Sequence, residues 1–299
     1  MSPRTFQWVG GAALVVVAMA GPAIAPVAAQ SVERQLYVSV VDRDGTPVPG
    51  LTADDFIVRE DGNRREVLRV GPATTGMQIA LLVDTSQAAT RAMKEIRDAL
   101  GEFVTRLPPG NELALITFGE RPTIRVDYTS SAEAMGQSIG RLFAMPGSGA
   151  YLLDAIDLTL EGIDRRRPAR PVIIVVTTEG IEYSHTYYES ILRDLDETAT
   201  AFHAIVLESE GGTGFDEAAR NRRFVIDEGT RASGGRRHNL LTTMALEATL
   251  RQVGEDLANQ YLVVYARPDT LIPPDTIEVG ADDPALTVRG TPVGRADGS

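Results

Sequence analysis

The chain has 299 residues, of which 43% are hydrophobic and 23% charged, and its formal net charge is −12. That balance is globular and excludes a disordered, collagen-like or multi-span membrane chain, and the acidity works against general nucleic-acid binding because phosphate repels it at long range. Cysteine is absent, which removes disulfides, thiol nucleophiles and cysteine-bound zinc; only His185, His203 and His238 are available to a histidine-rich metal site.

The first segment reads as a leader. Arg4 is followed by an uncharged stretch from Thr5 to Val32, with an apolar centre at Ala12–Ala20. The helix breakers Gly21 and Pro22 follow, then the small-residue triplets Ala23-Ile24-Ala25 and Val27-Ala28-Ala29. A charge, a short apolar core and a small-residue site, in that order, predict a secretory signal peptide over residues 1–29, cleaved after Ala29. A retained anchor is the other reading, but the core falls short of the ~20 residues a spanning helix needs. The mature chain is then expected in the periplasm or secreted.

Residues 30–75 read as strands joined by turns. Gln35–Val41 is β-rich, and Asp44-Gly45 and Asp61-Gly62 are hairpin-type dipeptides. Asp42-Arg43-Asp44-Gly45 is read as a turn and not a calcium loop, since the later acidic ligands are missing. Residues 76–267 change character. Ile79–Val83 is a continuous apolar run, as expected of a strand buried on both faces. Thr90 is placed as the cap of a helix with Met93, Ile96, Leu100, Phe103, Val104 and Leu107 at helical spacing, stopped by Pro108-Pro109-Gly110. Further strands are predicted at Glu112–Phe118, Thr123–Tyr128, Pro171–Val176, Ala201–Leu207 and Tyr261–Tyr265. Helices are predicted through Leu152–Ile163 and Leu246–Leu257, with another near Tyr187–Leu195. The alternation predicts a Rossmann-like α/β fold, a mostly parallel sheet with helices on both faces. Residues 268–299 are rich in Pro, Asp and Gly, and hold two short strand candidates, Thr276–Val279 and Leu286–Val288. These are expected to pair with the N-terminal strands in a small β appendage.

In an open parallel sheet, ligands bind beyond the carboxyl ends of the strands, where strand order reverses. Two apolar strands end in a carboxylate, Asp84 in Val83-Asp84-Thr85-Ser86 and Glu179 in Thr177-Thr178-Glu179-Gly180. Pro146-Gly147-Ser148-Gly149-Ala150 is the third loop expected at that edge. Carboxylates and hydroxyls gathered there are oxygen donors of the type a hard cation takes.

These residues carry a resemblance. Asp84-Thr85-Ser86-Gln87-Ala88 resembles the metal-ion-dependent adhesion site (MIDAS) motif, Asp-x-Ser-x-Ser, of von Willebrand factor A (VWA) domains. Ser148–Ile156 resembles the family's Gly-Gly-Thr-Ala-Leu-Tyr-Asp-Ala-Ile segment, and Thr177-Thr178-Glu179-Gly180 its Thr-Asp-Gly motif. Leu51–Gly62, Asn259–Tyr265 and Val288–Pro292 are similar to the flanks of the exported bacterial VWFA-related subfamily. The resemblance implies a VWA-type fold and a metal site at Asp84, Ser86 and Glu179, in a degenerate form. Ala88 stands where the family has its second Ser, Ala150 where it has Thr, and Glu179 where it has Asp. Mg²⁺ needs near-octahedral oxygen geometry, so two missing hydroxyls and a longer carboxylate favour Asp84 and Glu179 as strand-end residues held by loop amides. Ser148 and Thr178 are the substitute donors. No cofactor is expected, with weak Mg²⁺ as the alternative.

Tyr151, Tyr183, Tyr187 and Tyr188 are four of the chain's eight tyrosines, and they cluster with His185 beside this edge. Tyrosine supplies rigid apolar area with a polar tip and is favoured in interfaces; half-buried packing under the nearby helix is the plainer alternative. The basic clusters Arg165-Arg166-Arg167 with Arg170, Arg220 with Arg222-Arg223, and Arg236-Arg237-His238 are read as solvated helix ends and loops. Gly211-Gly212-Thr213-Gly214 lacks the Lys-Ser/Thr of a phosphate loop. The expected function is non-catalytic protein–protein interaction or scaffolding in the cell envelope, with a protein or peptide partner. The alternatives are an adhesion module dependent on Mg²⁺ or Mn²⁺ and a hydrolase built on the two carboxylates.

Overall fold

The computed structural model describes residues 31–208, 217–269 and 272–293. The leader over 1–29 and the Gly211–Gly214 loop lie outside these residues. Four strands come first: β1 (Ser31–Val41), β2 (Phe56–Glu60), β3 (Asn63–Arg65) and β4 (Val67–Pro72). The turn between β2 and β3 uses Asp61 and Gly62, both with positive φ (47° and 75°), which explains the Asp-Gly pair there. At the other dipeptide, Asp42 Oδ1 accepts the amides of Asp44 and Thr46, closing a local turn around Gly45.

The α/β unit follows. Its strands are β5 (Gln78–Val83), β6 (Glu112–Thr117), β7 (Thr123–Thr129), β8 (Pro171–Thr178), β9 (Ala201–Leu207) and β10 (Arg237–Leu240). They form one sheet in the order β10-β9-β8-β5-β6-β7, parallel except for β7. Its helices are α1 (Met93–Arg106), α2 (Ala132–Ile139), α3 (Leu152–Arg166), α4 (Tyr188–Glu197), α5 (Glu217–Phe224), α6 (Thr230–Ala232) and α7 (Leu246–Ala258). A π-helical stretch, Val225–Gly229, joins α5 to α6. Before α1 the chain makes a 3-10 turn over Gln87–Arg91, so Ala92 and not Thr90 occupies the cap, and the Thr90 hydroxyl donates to Gln87 O instead.

The continuous apolar strands are explained by their two covered faces. Ile79, Leu81, Val83, Val172, Ile174 and Val176 pack with α1, α2 and α7 on one side. Ala80, Leu82, Ile173 and Val175 pack with α3, α4 and Val225–Ile226 on the other. Burial of each Val, Leu or Ile among them contributes about 1.5–3 kcal/mol, so the sheet edge rests on a well-packed base.

The last strands, β11 (Tyr261–Pro268), β12 (Ile277–Ala281) and β13 (Thr287–Pro292), return to the N-terminal segment. One antiparallel sheet has the order β13-β1-β11-β4 and another the order β12-β2-β3. They share a core of Leu36, Val38, Val40, Phe56, Val58, Tyr261, Val263 and Tyr265. The expected pairing of the two chain ends is therefore present. Tyr261–Tyr265, placed by sequence within the α/β segment that ends at residue 267, belongs instead to the antiparallel sheet, between β1 and β4. The two parts are joined by Arg170, which is buried and donates to the carbonyls of Ala73, Thr75 and Leu257 and to Gln260 Oε1, while lying over the Tyr37 ring at 4.8 Å. The sequence reading of Arg170 as a solvated residue is corrected accordingly: five donors in one fork suit it to several carbonyls at a junction.

Candidate functional site

The order of the parallel sheet reverses between β5 and β8, so the crevice beyond their carboxyl ends is where a ligand is expected. In-register pairing of Val83 with Val176 places Asp84 and Glu179 at this one edge. Asp84 is fully buried. Its Oδ1 accepts the Ser86 amide at 2.8 Å; its Oδ2 accepts the Thr178 amide at 2.9 Å and the Thr177 hydroxyl at 3.3 Å. The backbone amide of Asp84 donates to Val176 O and that of Glu179 to Leu207 O, continuing the ladder past the strands. Ser86 is buried; Glu179 is half-buried.

Three loops close over this floor. Thr85 O accepts the Met145 amide at 2.8 Å, Ser148 O accepts the Gln87 amide at 3.3 Å, and Gln87 Oε1 accepts the Gly147 amide at 2.7 Å. The 146–150 loop then pairs with the segment after β8: the Ala150 amide donates to Ile181 O and the Tyr183 amide to Ala150 O. Ala88 Cβ lies only 2.8 Å from where a Cβ on Gly180 would sit, so this methyl packs against bare backbone.

The donors decide how well this edge suits a hard dication. Both Asp84 oxygens already accept protein hydrogen bonds, and Ala88 and Ala150 present methyl groups. Among the described residues no three His, Asp or Glu side chains converge as a metal cluster. Thr178 Oγ1 is buried without a hydrogen-bond partner, a single neutral oxygen. One engaged carboxylate and scattered hydroxyls give Mg²⁺ few protein donors, so a dication would be held at this edge largely through water.

Beneath the edge lies a buried ion pair that the sequence reading did not find. Glu182 is 2% exposed and Arg222 only 1%. Arg222 Nη2 donates to Thr177 Oγ1 at 2.7 Å and to Thr178 O at 2.8 Å, while Nη1 stands 3.6 Å from Glu182 Oε2. Glu182 Oε1 accepts the Leu152 amide at 2.9 Å, at the start of α3, and the Ser184 hydroxyl at 2.5 Å. Burial pushes the Glu182 carboxyl up to about 7, against the opposing pull of the Arg222 guanidinium. The reading of Arg222 as solvated is thus overturned. One helical signal points to it: Ala219, Arg222, Val225 and Ile226 form a single inward stripe.

The tyrosines divide into two groups. Tyr183 and Tyr187 are exposed, at 47% and 60%, with Ile181 exposed beside them in sequence. The Tyr183 ring lies against Gly149, where a Cβ would come within 2.4 Å of it, and 5.9 Å from the Tyr151 ring. Tyr188 turns inward and packs edge-on against Phe224 at 4.6 Å. His185 is exposed; its backbone amide and the amide and hydroxyl of Thr186 donate to Asp154 Oδ1, tying this segment to the first turn of α3. Two cavities in the structure lie elsewhere. One, between α1 and α7, is lined by Phe103 and Gly254; the other, at the amino ends of β5 and β6, is lined by Gln78 and Asn111.

A doubly covered, mostly parallel sheet with three loops gathered at its carboxyl edge defines a Rossmann-like α/β protein of the VWA type. Residues 79–181 match the von Willebrand factor type A domain model. Proximal thread matrix protein 1 from the mussel byssus, solved with a zinc-occupied MIDAS motif, is similar at 16% identity and a TM-score of 0.50. The match covers 67% of this chain and 49% of that one, so the chain spans about half the length of the mussel protein. A von Willebrand factor type A protein from Catenulispora acidiphila is similar at 12% identity and a TM-score of 0.50, over 88% of this chain and 72% of that one. At these identities the likeness establishes the fold. Among curated proteins none matches the chain in sequence. Domains matching this model are generally interaction modules. No helix among the described residues is long and apolar enough to cross a membrane.

Proposed function

We propose that this chain is a non-catalytic, extracytoplasmic interaction or scaffolding module that binds a protein or peptide of the cell envelope through the carboxyl edge of its parallel sheet, without a metal ion. The observation that carries the reading is the pairing of a closed polar floor with an exposed apolar rim. The floor has its carboxylate fully engaged, and the rim is formed by Ile181, Tyr183 and Tyr187 on a segment pinned at Ala150 and Asp154. Rigid aromatic area held on a fixed scaffold is the composition of an interface anchor. The leader read at residues 1–29 supports an extracytoplasmic site of action.

The hydrolase reading has little support. The carboxyl raised by burial is Glu182, which lies in the interior against Arg222 and the start of α3, where it serves as a structural acceptor. The experiment is capture from envelope extract by the immobilised mature chain, with and without EDTA, beside a Tyr183→Ser/Tyr187→Ser variant. Capture that persists in EDTA and is lost in the variant is expected. Elution by EDTA would establish the metal-dependent adhesion reading instead, and capture unchanged in the variant would remove the rim from the account.

A further inference from the structure

This inference rests on the metal-independent reading above and deepens it. We infer that the Arg222 guanidinium is the built-in cation of this edge: it supplies, from the helix side, the positive charge that the strand-end carboxylate of Asp84 would otherwise require from solution. The geometry is specific. Arg222 is buried, yet it approaches the carboxyl end of β8 directly, bonding the Thr177 hydroxyl and the Thr178 carbonyl with one nitrogen and facing Glu182 with the other. Thr177 in turn donates to Asp84 Oδ2, so a single hydroxyl separates the guanidinium from the buried Asp84 carboxylate. The same Asp84 oxygen accepts the Thr178 amide, and Arg222 holds the carbonyl of that residue. One cation therefore fixes both the charge and the backbone on which Asp84 rests.

Two consequences follow from elementary electrostatics. A buried carboxylate beside a fixed cation has less to gain from a second one, and a dication brought to this edge meets like charge in a region of low dielectric. Arginine suits the role because it remains charged when buried and its planar fork reaches a hydroxyl, a carbonyl and a carboxylate together. Arg222 is thus a positioning residue: it acts on the partner-binding rim through the 177–183 segment. The methyl groups at Ala88 and Ala150 are consistent with an edge released from the need for further oxygen donors.

The test is the thermal response of the mature chain to Mn²⁺ and Mg²⁺ at about 10 mM, slightly above neutral pH. The wild type and Arg222→Lys, which keeps the charge, are expected to shift by less than about 1 °C. Arg222→Met is expected to gain about 3 °C or more, the response of a site filled to roughly ten times its Kd. If Arg222→Met does not fold, Arg222→Met/Glu182→Gln carries the same expectation, since it leaves no buried unpaired charge at this pair while Asp84 stays uncompensated. A wild type that itself gains several degrees overturns the metal-independent reading. A wild type that is indifferent, alongside Met variants equally indifferent, overturns the assignment of Arg222 and leaves that reading standing. A Lys variant that responds as the Met variant does also overturns it, because the charge is then not what matters.

Discussion

Replacing Arg222 by Met should destabilise the chain by an amount that grows with pH. The substitution leaves Thr177 Oγ1 without its donor neighbour and the Thr178 carbonyl without its arginine bond, both in the interior. Unsatisfied buried polar groups of this kind cost about 1–3 kcal/mol together with the lost bonds. That part is independent of pH. The second part is Glu182. Burial already raises its carboxyl to about 7 while Arg222 pulls the other way. Without the guanidinium the carboxyl rises further. A carboxyl whose folded value lies above its unfolded one contributes stability that is complete below the unfolded value and is lost as pH rises through the folded one. The variant therefore loses more than the wild type as pH rises from about 5.5 to about 8.5, and its total deficit at the upper end should reach the ~3–5 kcal/mol of a broken buried ion pair. Urea unfolding of both proteins across this range measures the difference. The Arg222→Met/Glu182→Gln pair lacks this titrating carboxyl, so its deficit against the wild type should shrink as pH rises toward 7. A deficit for Arg222→Met that is constant with pH, or largest at the acid end, refutes the reasoning.

Other perturbations have equally definite expectations. His203 is buried with both ring nitrogens lacking hydrogen-bond partners, and burial, together with Arg289, His238 and Arg236, lowers it to about 3. Its neutral form is the folded one, so stability should be complete above about 6.5 and fall as pH drops toward 3; acid titration of Tm in His203→Leu should show a shallower decline than the wild type. Arg170→Ala should cost about 3–5 kcal/mol, because it strips the donors from three carbonyls and Gln260 at the junction of the two parts; chemical denaturation checks this. Gly119→Ala should be among the most damaging glycine substitutions near the site, since its Cβ would come within 2.4 Å of the Thr85 backbone, whereas Gly149→Ala should mainly push the Tyr183 ring aside, with Tm little changed and the aromatic NMR signals of Tyr183 shifted.

Much of the fold was legible because its strongest signals are periodic. Ile79–Val83 and Pro171–Val176 are apolar without interruption, and only a strand covered on both faces uses such a run; α1 and α7 declare themselves by stripes at helical spacing. The elements that escaped are short or polar. β10 reads Arg-His-Asn-Leu and is held by pairing with β9, and α2 is a short helix with two buried side chains, Met135 and Ile139. Tyr261–Pro268 was legible as a strand but not by sheet, because Tyr261, Val263 and Tyr265 would suit either core and only long-range pairing with β1 and β4 decides between them.

The same division runs through the site. Asp84 and Glu179 were placed at one edge because strand ends in a parallel sheet follow from strand direction alone. Glu182 and Arg222 were not, because nothing local marks a charge as buried when its partner lies forty residues away in the chain and on another element. Local rules put charges outside, and a pair satisfies burial only jointly. That is also why counting motif positions undervalues this edge. A tally of lost hydroxyls at Ala88 and Ala150 describes a site losing its ligands, whereas the Arg222 bonds to Thr177 and Thr178 describe one whose charge balance has moved inside the fold. The two views part company at Arg222→Met, for which only the second expects a gain of stability with added dications.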